Sequence, residues 1–191
     1  AVSHVTVLTR PRSEMMGRFL RVEGGQIVRE EGRGGPAGTI VTVEHLFYNV
    51  PARLKFLRQP QTEAGHVYDV VSHCALAYPE IRFGLVSDGR QAFQSPGNGQ
   101  LYDVVLALYG LEMAGQMMPL DAPEPAGDAE DRPWPRVSGC IGNPSLHRAN
   151  RGYITLFVNR RWIQDTSLAY AVVQAYHTLL LFPEEEYAST A

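Results

Sequence analysis

The run Gly38–Phe56, GTIVTVEHLFYNVPARLKF, changes its period once, and that change constrains the chain on both sides of it. Thr39, Val41 and Val43 fall on one face and Ile40 and Thr42 on the other, the two-residue repeat of an extended strand. Asn49 and Pro51 then stop the pairing, because proline has no amide hydrogen to give a ladder. Beyond Pro51 the spacing turns helical, with Ala52, Phe56 and Leu57 on one side and Arg53, Lys55 and Arg58 facing water. Taken alone, this is a strand, a turn and a short basic helix.

The flanking segments extend the pattern. His4 to Arg10 alternates Val5, Val7 and Thr9 against Thr6 and Leu8, and two further strand-like runs, Arg18–Val22 and Gln26–Glu30, flank Gly24-Gly25, a two-residue loop suited to a tight hairpin. Four antiparallel strands make a sheet with one face to cover. Between Thr62 and Tyr78 the residues Val67, Val70, Val71, Cys74 and Ala77 recur at helical spacing, and Pro79 ends the run. Asp88-Gly89 marks another hairpin between Ile81–Val86 and Gln91–Phe93. The turn formers Ser95-Pro96-Gly97-Asn98-Gly99 are the expected domain boundary, dividing the chain into 1–97 and 98–191.

In the second part, Leu101, Val104, Val105 and Leu108 predict a helix that Gly110 ends. Strands are expected at Arg136–Ile141 and Tyr153–Val158, with a turn at Asn159-Arg160 leading into Arg161–Ile163. Asp165 is placed to cap a helix in which Leu168, Val172, Tyr176 and Leu179 repeat. The acidic, proline-rich stretch Asp121–Pro135 reads as a surface insertion.

Composition narrows the function classes. The 191 residues carry a formal net charge of −3, which argues against a constitutive, high-affinity nucleic-acid binder. The charge is uneven: residues 1–97 hold eleven Lys/Arg against nine Asp/Glu, and residues 98–191 hold six against eleven, so local basic surfaces remain open. No stretch approaches the ~20 apolar residues of a membrane span. Cys74 and Cys140 stand far apart on apolar segments and read as buried free thiols of a reducing compartment. His66 and His73 lie seven apart with no third ligand in view, and Ser3, Ser72 and Ser138 lack the context of a catalytic nucleophile.

Leu46-Phe47-Tyr48-Asn49-Val50-Pro51-Ala52-Arg53-Leu54-Lys55-Phe56-Leu57 resembles, in length and order, a motif of the MutL family of DNA mismatch-repair ATPases. Tyr153 to Arg161 resembles that family's strand ending in Val-Asn-x-Arg, and Gln174-Ala175 matches the helix after it. The resemblance implies an α+β fold. Residues 1–97 would be the C-terminal part of a GHKL ATPase domain, an antiparallel or mixed sheet with helices on one face. Residues 98–191 would be a transducer domain, an α/β layer like ribosomal S5 domain 2, truncated at its C-terminus. It also implies a parent protein that binds ATP and Mg and closes as a homodimer in the cytoplasm. Its partners would be DNA, a mismatch-recognition protein and downstream nicking or unwinding proteins, with no membrane role. The family's catalytic glutamate helix, adenine-recognising aspartate, phosphate loops and γ-phosphate lysine have no match in this sequence. The piece alone is therefore expected to be inactive, with no catalytic residue and no bound cofactor. The alternatives are an interaction scaffold without a nucleic-acid role, or part of another GHKL machine such as a gyrase-type ATPase.

The same resemblance selects the site residues. Gly38 and Thr39 are the nucleotide-side candidates, the threonine supporting the adenine-recognising aspartate through an ordered water. Arg53 and Lys55, with Arg58 beside them, are candidate DNA-phosphate contacts, although a solvated helix face explains them as simply. Arg148, Arg151, Arg160 and Arg161 form the denser cluster, and Arg161 falls where relatives have a basic turn lining a DNA groove. Gln164 and Thr166 stand where some relatives have arginines, which lowers the expected affinity. Trp162 reads first as strand-pair filling and second as a base-stacking residue.

Overall fold

The computed structural model describes residues 2–122, 136–146 and 151–180. Strand β1 (His4–Arg10) pairs antiparallel with β2 (Gly17–Glu23) on one side and with β4 (Gly38–Glu44) on the other. Strand β3 (Gln26–Arg33) completes a four-stranded sheet of order β3-β2-β1-β4. The β2–β3 connection is the anticipated tight hairpin, since Gly24 and Gly25 have φ of 59° and 94°. Register places Val41 opposite Val7 and Val43 opposite Val5, while Val7 and Val5 face Leu20 and Val22 across the other ladder. One face of the sheet is thus a patch of valine and leucine. Towards β3 both faces carry charge: the Arg18–Glu30 ion pair lies on the valine side, and on the other side the Arg33 guanidinium is 4.0 Å from the centre of the Phe19 ring.

The chain divides into two compact units, Ala1–Glu63 and Ala64–Ala191. In the first unit, β4 runs into the short helix α1 (Pro51–Phe56), which has proline in its first turn and ends where Leu57 becomes extended. Helix α2 (Pro60–Ala77) follows after three residues.

The second unit has a small core of Ala75, Phe93 and Val104, flanked by Tyr68, Val71, Leu76, Phe83, Leu85 and Leu108. These come from α2, from the hairpin β5 (Gly84–Ser87) and β6 (Arg90–Gln94), and from α3 (Leu101–Ala114). Asp88 and Gly89, at φ of 49° and 74°, make the hairpin turn that the sequence announces. Ser95 is fully buried: its hydroxyl accepts from the Phe83 amide at 2.9 Å and donates to the Ile81 carbonyl at 3.3 Å. A side chain at Gly97, which has φ of 71°, would lie 2.5 Å from the Arg82 amide nitrogen. Only glycine meets both demands.

The buried side of α2 is turned from the expected stripe. Ser72 and Ala75 are buried, whereas Val67 and Val70 are 50% and 61% exposed. In α3 the helical backbone ends at Gly110 (φ 78°, ψ 170°) as the sequence announces, and beyond this kink a second short helical stretch runs to Ala114. Strand β7 (Met117–Asp121) pairs antiparallel with β8 (Ser138–Gly142), Pro119 lying opposite Cys140. Strands β9 (Leu156–Val158) and β10 (Arg161–Ile163) form a minimal hairpin preceded by a 3-10 turn at Arg151–Tyr153. In helix α4 (Thr166–Leu180), the Asp165 carboxylate accepts from the Leu168 amide at 2.8 Å, the expected cap. The Tyr176 hydroxyl donates to the Gly142 carbonyl at 2.6 Å, tying α4 to β8. Both cysteines are free thiols but only partly buried. No helix among the described residues is long and apolar enough to cross a membrane.

Candidate functional site

Gly38 opens β4 at φ 124°, a conformation that L side chains rarely adopt, although a Cβ there would meet nothing within 4 Å. The requirement is conformational rather than one of space. The next residue, Thr39, lies opposite Thr9, and their hydroxyl oxygens are 2.8 Å apart. That hydrogen bond orients the Thr39 hydroxyl across the ladder on an exposed part of the sheet.

The segment after β4 is more contorted than its sequence suggests. His45 and Phe47 hold φ of 53° and 64°, a region costly for bulky residues. Successive turns stabilise it: the Tyr48 amide donates to the His45 carbonyl at 3.0 Å and the Val50 amide to the Phe47 carbonyl at 2.9 Å. The His4 ring meets His45 and Tyr48 edge-on at centroid distances of 5.1 and 4.5 Å. Asn49 and Pro51 mark the break in the sequence, but nothing there marks the positive φ of His45 and Phe47.

Arg53 and Lys55 lie in the last turn of α1, exposed and without an ion-pair partner among the described residues. Arg58 is past the helix end, and its amide donates to the Glu63 carboxylate at 2.9 Å. Phe56, expected on a covered side of α1, is 85% exposed.

In the second unit, Asn159 (φ 49°) and Arg160 (φ 65°) form the two-residue turn between β9 and β10. Arg161, the first residue of β10, is exposed and has no carboxylate partner among the described residues. Arg160 behaves differently. Its guanidinium is ion-paired with Glu80 and lies 5.2 Å from the Tyr78 ring centre. Hydrogen bonding from its own backbone amide, and then Arg160, hold the Glu80 carboxyl below the usual carboxylate range. Two residues beyond Arg160, in the middle of β10, the His73 imidazole stacks on Trp162 with centroids 4.2 Å apart and planes at 20°. Burial lowers the His73 pKa, and Asp69 partly opposes that shift. Trp162 thus contacts α2 through His73 while remaining 44% exposed. Arg151 opens the 3-10 turn Arg151–Tyr153, and Arg148 lies outside the described residues.

A recess of about 200 Å³ lies between α2, α3 and residues 152–155, with Asp69, Ser72, Tyr109 and Thr155 on its wall. Burial raises the Tyr109 pKa, while a hydrogen bond with Thr155 works against it. The Ser72 hydroxyl is buried there without a hydrogen-bond partner among the described residues. Among the described residues, no three His, Cys, Asp or Glu side chains converge to hold a metal.

Sequence and structural comparisons bear on this arrangement. The family model described as DNA mismatch repair protein, C-terminal domain, matches residues 105–190. The DNA mismatch repair protein MutL of Symbiobacterium thermophilum is 43% identical over 180 residues, which is 94% of this chain and 27% of that protein. MutL of Streptococcus thermophilus is 39% identical over 181 residues, again 27% of its length. The chain thus spans about a quarter of these relatives. The Aquifex aeolicus MutL ATPase domain complexed with ADP superposes with a TM-score of 0.70 at 27% identity, over 91% of this chain and 63% of that one. A structure described as the N-terminal domain of a DNA repair protein gives a TM-score of 0.77 at 19% identity, a likeness of fold, over 93% of this chain and 56% of that one.

Proposed function

Because the chain belongs to the MutL family of DNA mismatch repair proteins, we propose that it couples an ATP-driven closure of the parent homodimer to a DNA-contacting surface. The observation that carries this reading is the β9–β10 hairpin, which presents Arg161 exposed, and unpaired among the described residues, at a point braced by α2. In this reading residues 1–97 are the end of the ATPase domain and residues 98–191 the transducer domain, which the family match beginning at 105 supports.

Thr39 is the chain's contribution to the nucleotide side. Its bond to Thr9 holds a hydroxyl where an ordered water could be shared with the adenine-recognising aspartate of the parent. ATP and Mg would be gripped mainly by groups elsewhere in the parent, and hydrolysis depends on them; the ADP complex of the Aquifex aeolicus ATPase domain supports nucleotide binding for the whole. A mismatch-recognition protein and downstream nicking or unwinding proteins are the remaining partners, and the setting is cytoplasmic.

DNA contact in this reading is weak, nonspecific and directed at phosphates, led by Arg161, with Arg53, Lys55, Arg148, Arg151 and Arg160 as the further candidates. Fluorescence anisotropy with a labelled duplex of arbitrary sequence tests it. Binding at low ionic strength should weaken as salt rises, and Arg161→Glu should reduce it severalfold. Absence of binding at low salt removes the DNA role. The competing reading is an interaction scaffold, favoured by the excess of acidic over basic residues in 98–191. A scaffold has no affinity for Arg161→Glu to lose.

A further inference from the structure

We propose that Glu80 is a positioning residue for the DNA contact: it holds Arg160 away from phosphate, so that Arg161 alone leads the hairpin tip. The inference rests on the reading of that tip as a DNA-contacting surface. Arg160 and Arg161 are adjacent and look equivalent in the sequence, yet their surroundings differ. Arg160 is turned back onto an ion pair with a residue 80 positions earlier in the chain, with the Tyr78 ring beneath its guanidinium. Among the described residues Arg161 has neither contact.

The acceptor is held in place. Glu80 sits in a turn closed by the Ile81 amide donating to the Tyr78 carbonyl at 2.9 Å. The preceding residue, Pro79, accepts from the Gly99 amide at 3.0 Å, which ties that turn to the start of the next segment. The His73–Trp162 stack secures β10, the strand that follows the tip, against helix α2. Tip and acceptor are thus both anchored on α2 and its end.

Pairing has two consequences for a polyanion. Arg160 must release a carboxylate before it can meet a phosphate, so its counterion-release contribution is cancelled. Glu80 also adds a negative charge beside the surface that the polyanion approaches. A single carboxylate therefore sets how many cations the tip offers. Neutralising it should return one.

The test is anisotropy with a labelled nonspecific duplex, using the 191-residue chain across a salt series. Glu80→Gln should bind roughly fivefold to tenfold more tightly at 50 mM salt, with a log–log salt slope more negative by about 0.9, one additional phosphate. Adding Arg160→Ala to Glu80→Gln should remove that gain. Exposed ion pairs contribute little to folding, so both variants should show the wild-type circular dichroism spectrum. If Arg161→Glu weakens binding while Glu80→Gln changes neither affinity nor slope, the role of Glu80 is overturned and the DNA reading survives. A gain that persists in the double variant also overturns it, because the effect is then general charge rather than Arg160. If no variant binds at 20 mM salt, the DNA reading fails and takes this inference with it.

Discussion

Ser72 and His73 are neighbours on α2 whose roles the sequence hides. The Ser72 hydroxyl is buried on the recess wall without a partner among the described residues, a state that costs stability. Ser72→Ala should therefore be neutral or stabilising by up to about 1 kcal/mol in urea denaturation. A loss larger than that would mean the hydroxyl is satisfied, for example by an ordered water. His73 makes a prediction of opposite character, in pH. Burial makes it harder to protonate in the folded chain than at its ordinary 6.5. The unfolded chain then binds the proton first, so this contribution to stability is whole above about pH 6.5 and declines as pH falls below it. Thermal melts at pH 7.5 and 5.5 should show a smaller drop for His73→Phe, which keeps a ring on Trp162, than for the wild type. An equal drop would place the titration elsewhere. These residues were illegible because the valines at 67 and 70 suggested a buried stripe that the packing does not follow. The face that α2 buries is chosen by Phe93 and Val104, far away in sequence. The Asp165 cap was legible because its partner is three residues on.

Elements show the same division between local and distant causes. Every two-residue hairpin announced by Gly24-Gly25, Asp88-Gly89 or Asn159-Arg160 forms, because the turn chemistry is contained in the turn. Strand β7 was not anticipated, since Pro119 argues against a strand; it forms beside β8, and among the described residues that is its one ladder. Strand β9 is shorter than its pattern, as residues 151–153 coil into a 3-10 turn first. Gly110 is the break that its sequence position announces, and what the sequence does not show is the short helical stretch that resumes after it. At φ 78° and ψ 170° Gly110 occupies a region open almost only to glycine. Gly110→Ala should cost about 1–3 kcal/mol in urea denaturation, with circular dichroism showing the remaining helices retained. A cost near zero would mean that α3 straightens freely through this point.

Across the whole molecule, the motif from Leu46 to Leu57 made the family legible, whereas the burial of its surroundings was not. Val41 and Val43 of β4 are 59% and 55% exposed, although their alternation reads as one face of a packed sheet. Among the described residues, full burial of apolar side chains falls on Ala75, Phe93, Val104, Val105 and Ala114, all in the second unit. Alternation reports which residues share a face and says nothing about whether another layer lies against it. This distinction has a measurable consequence. Removing an uncovered valine from a sheet surface forfeits little packing, so Val41→Thr with Val43→Thr should shift the stability of this chain by no more than about 0.5 kcal/mol. Binding of a hydrophobic dye such as anilinonaphthalene sulfonate should fall, because the substitutions break a continuous apolar patch. The same pair placed in a full-length MutL relative should cost several times more if other segments of that protein cover β4, by loss of buried methyl groups and the polar atoms introduced. Equal small effects in both proteins would show that the β4 face is open in the family at large. A large loss in the 191-residue chain itself would show that the valines are covered in solution.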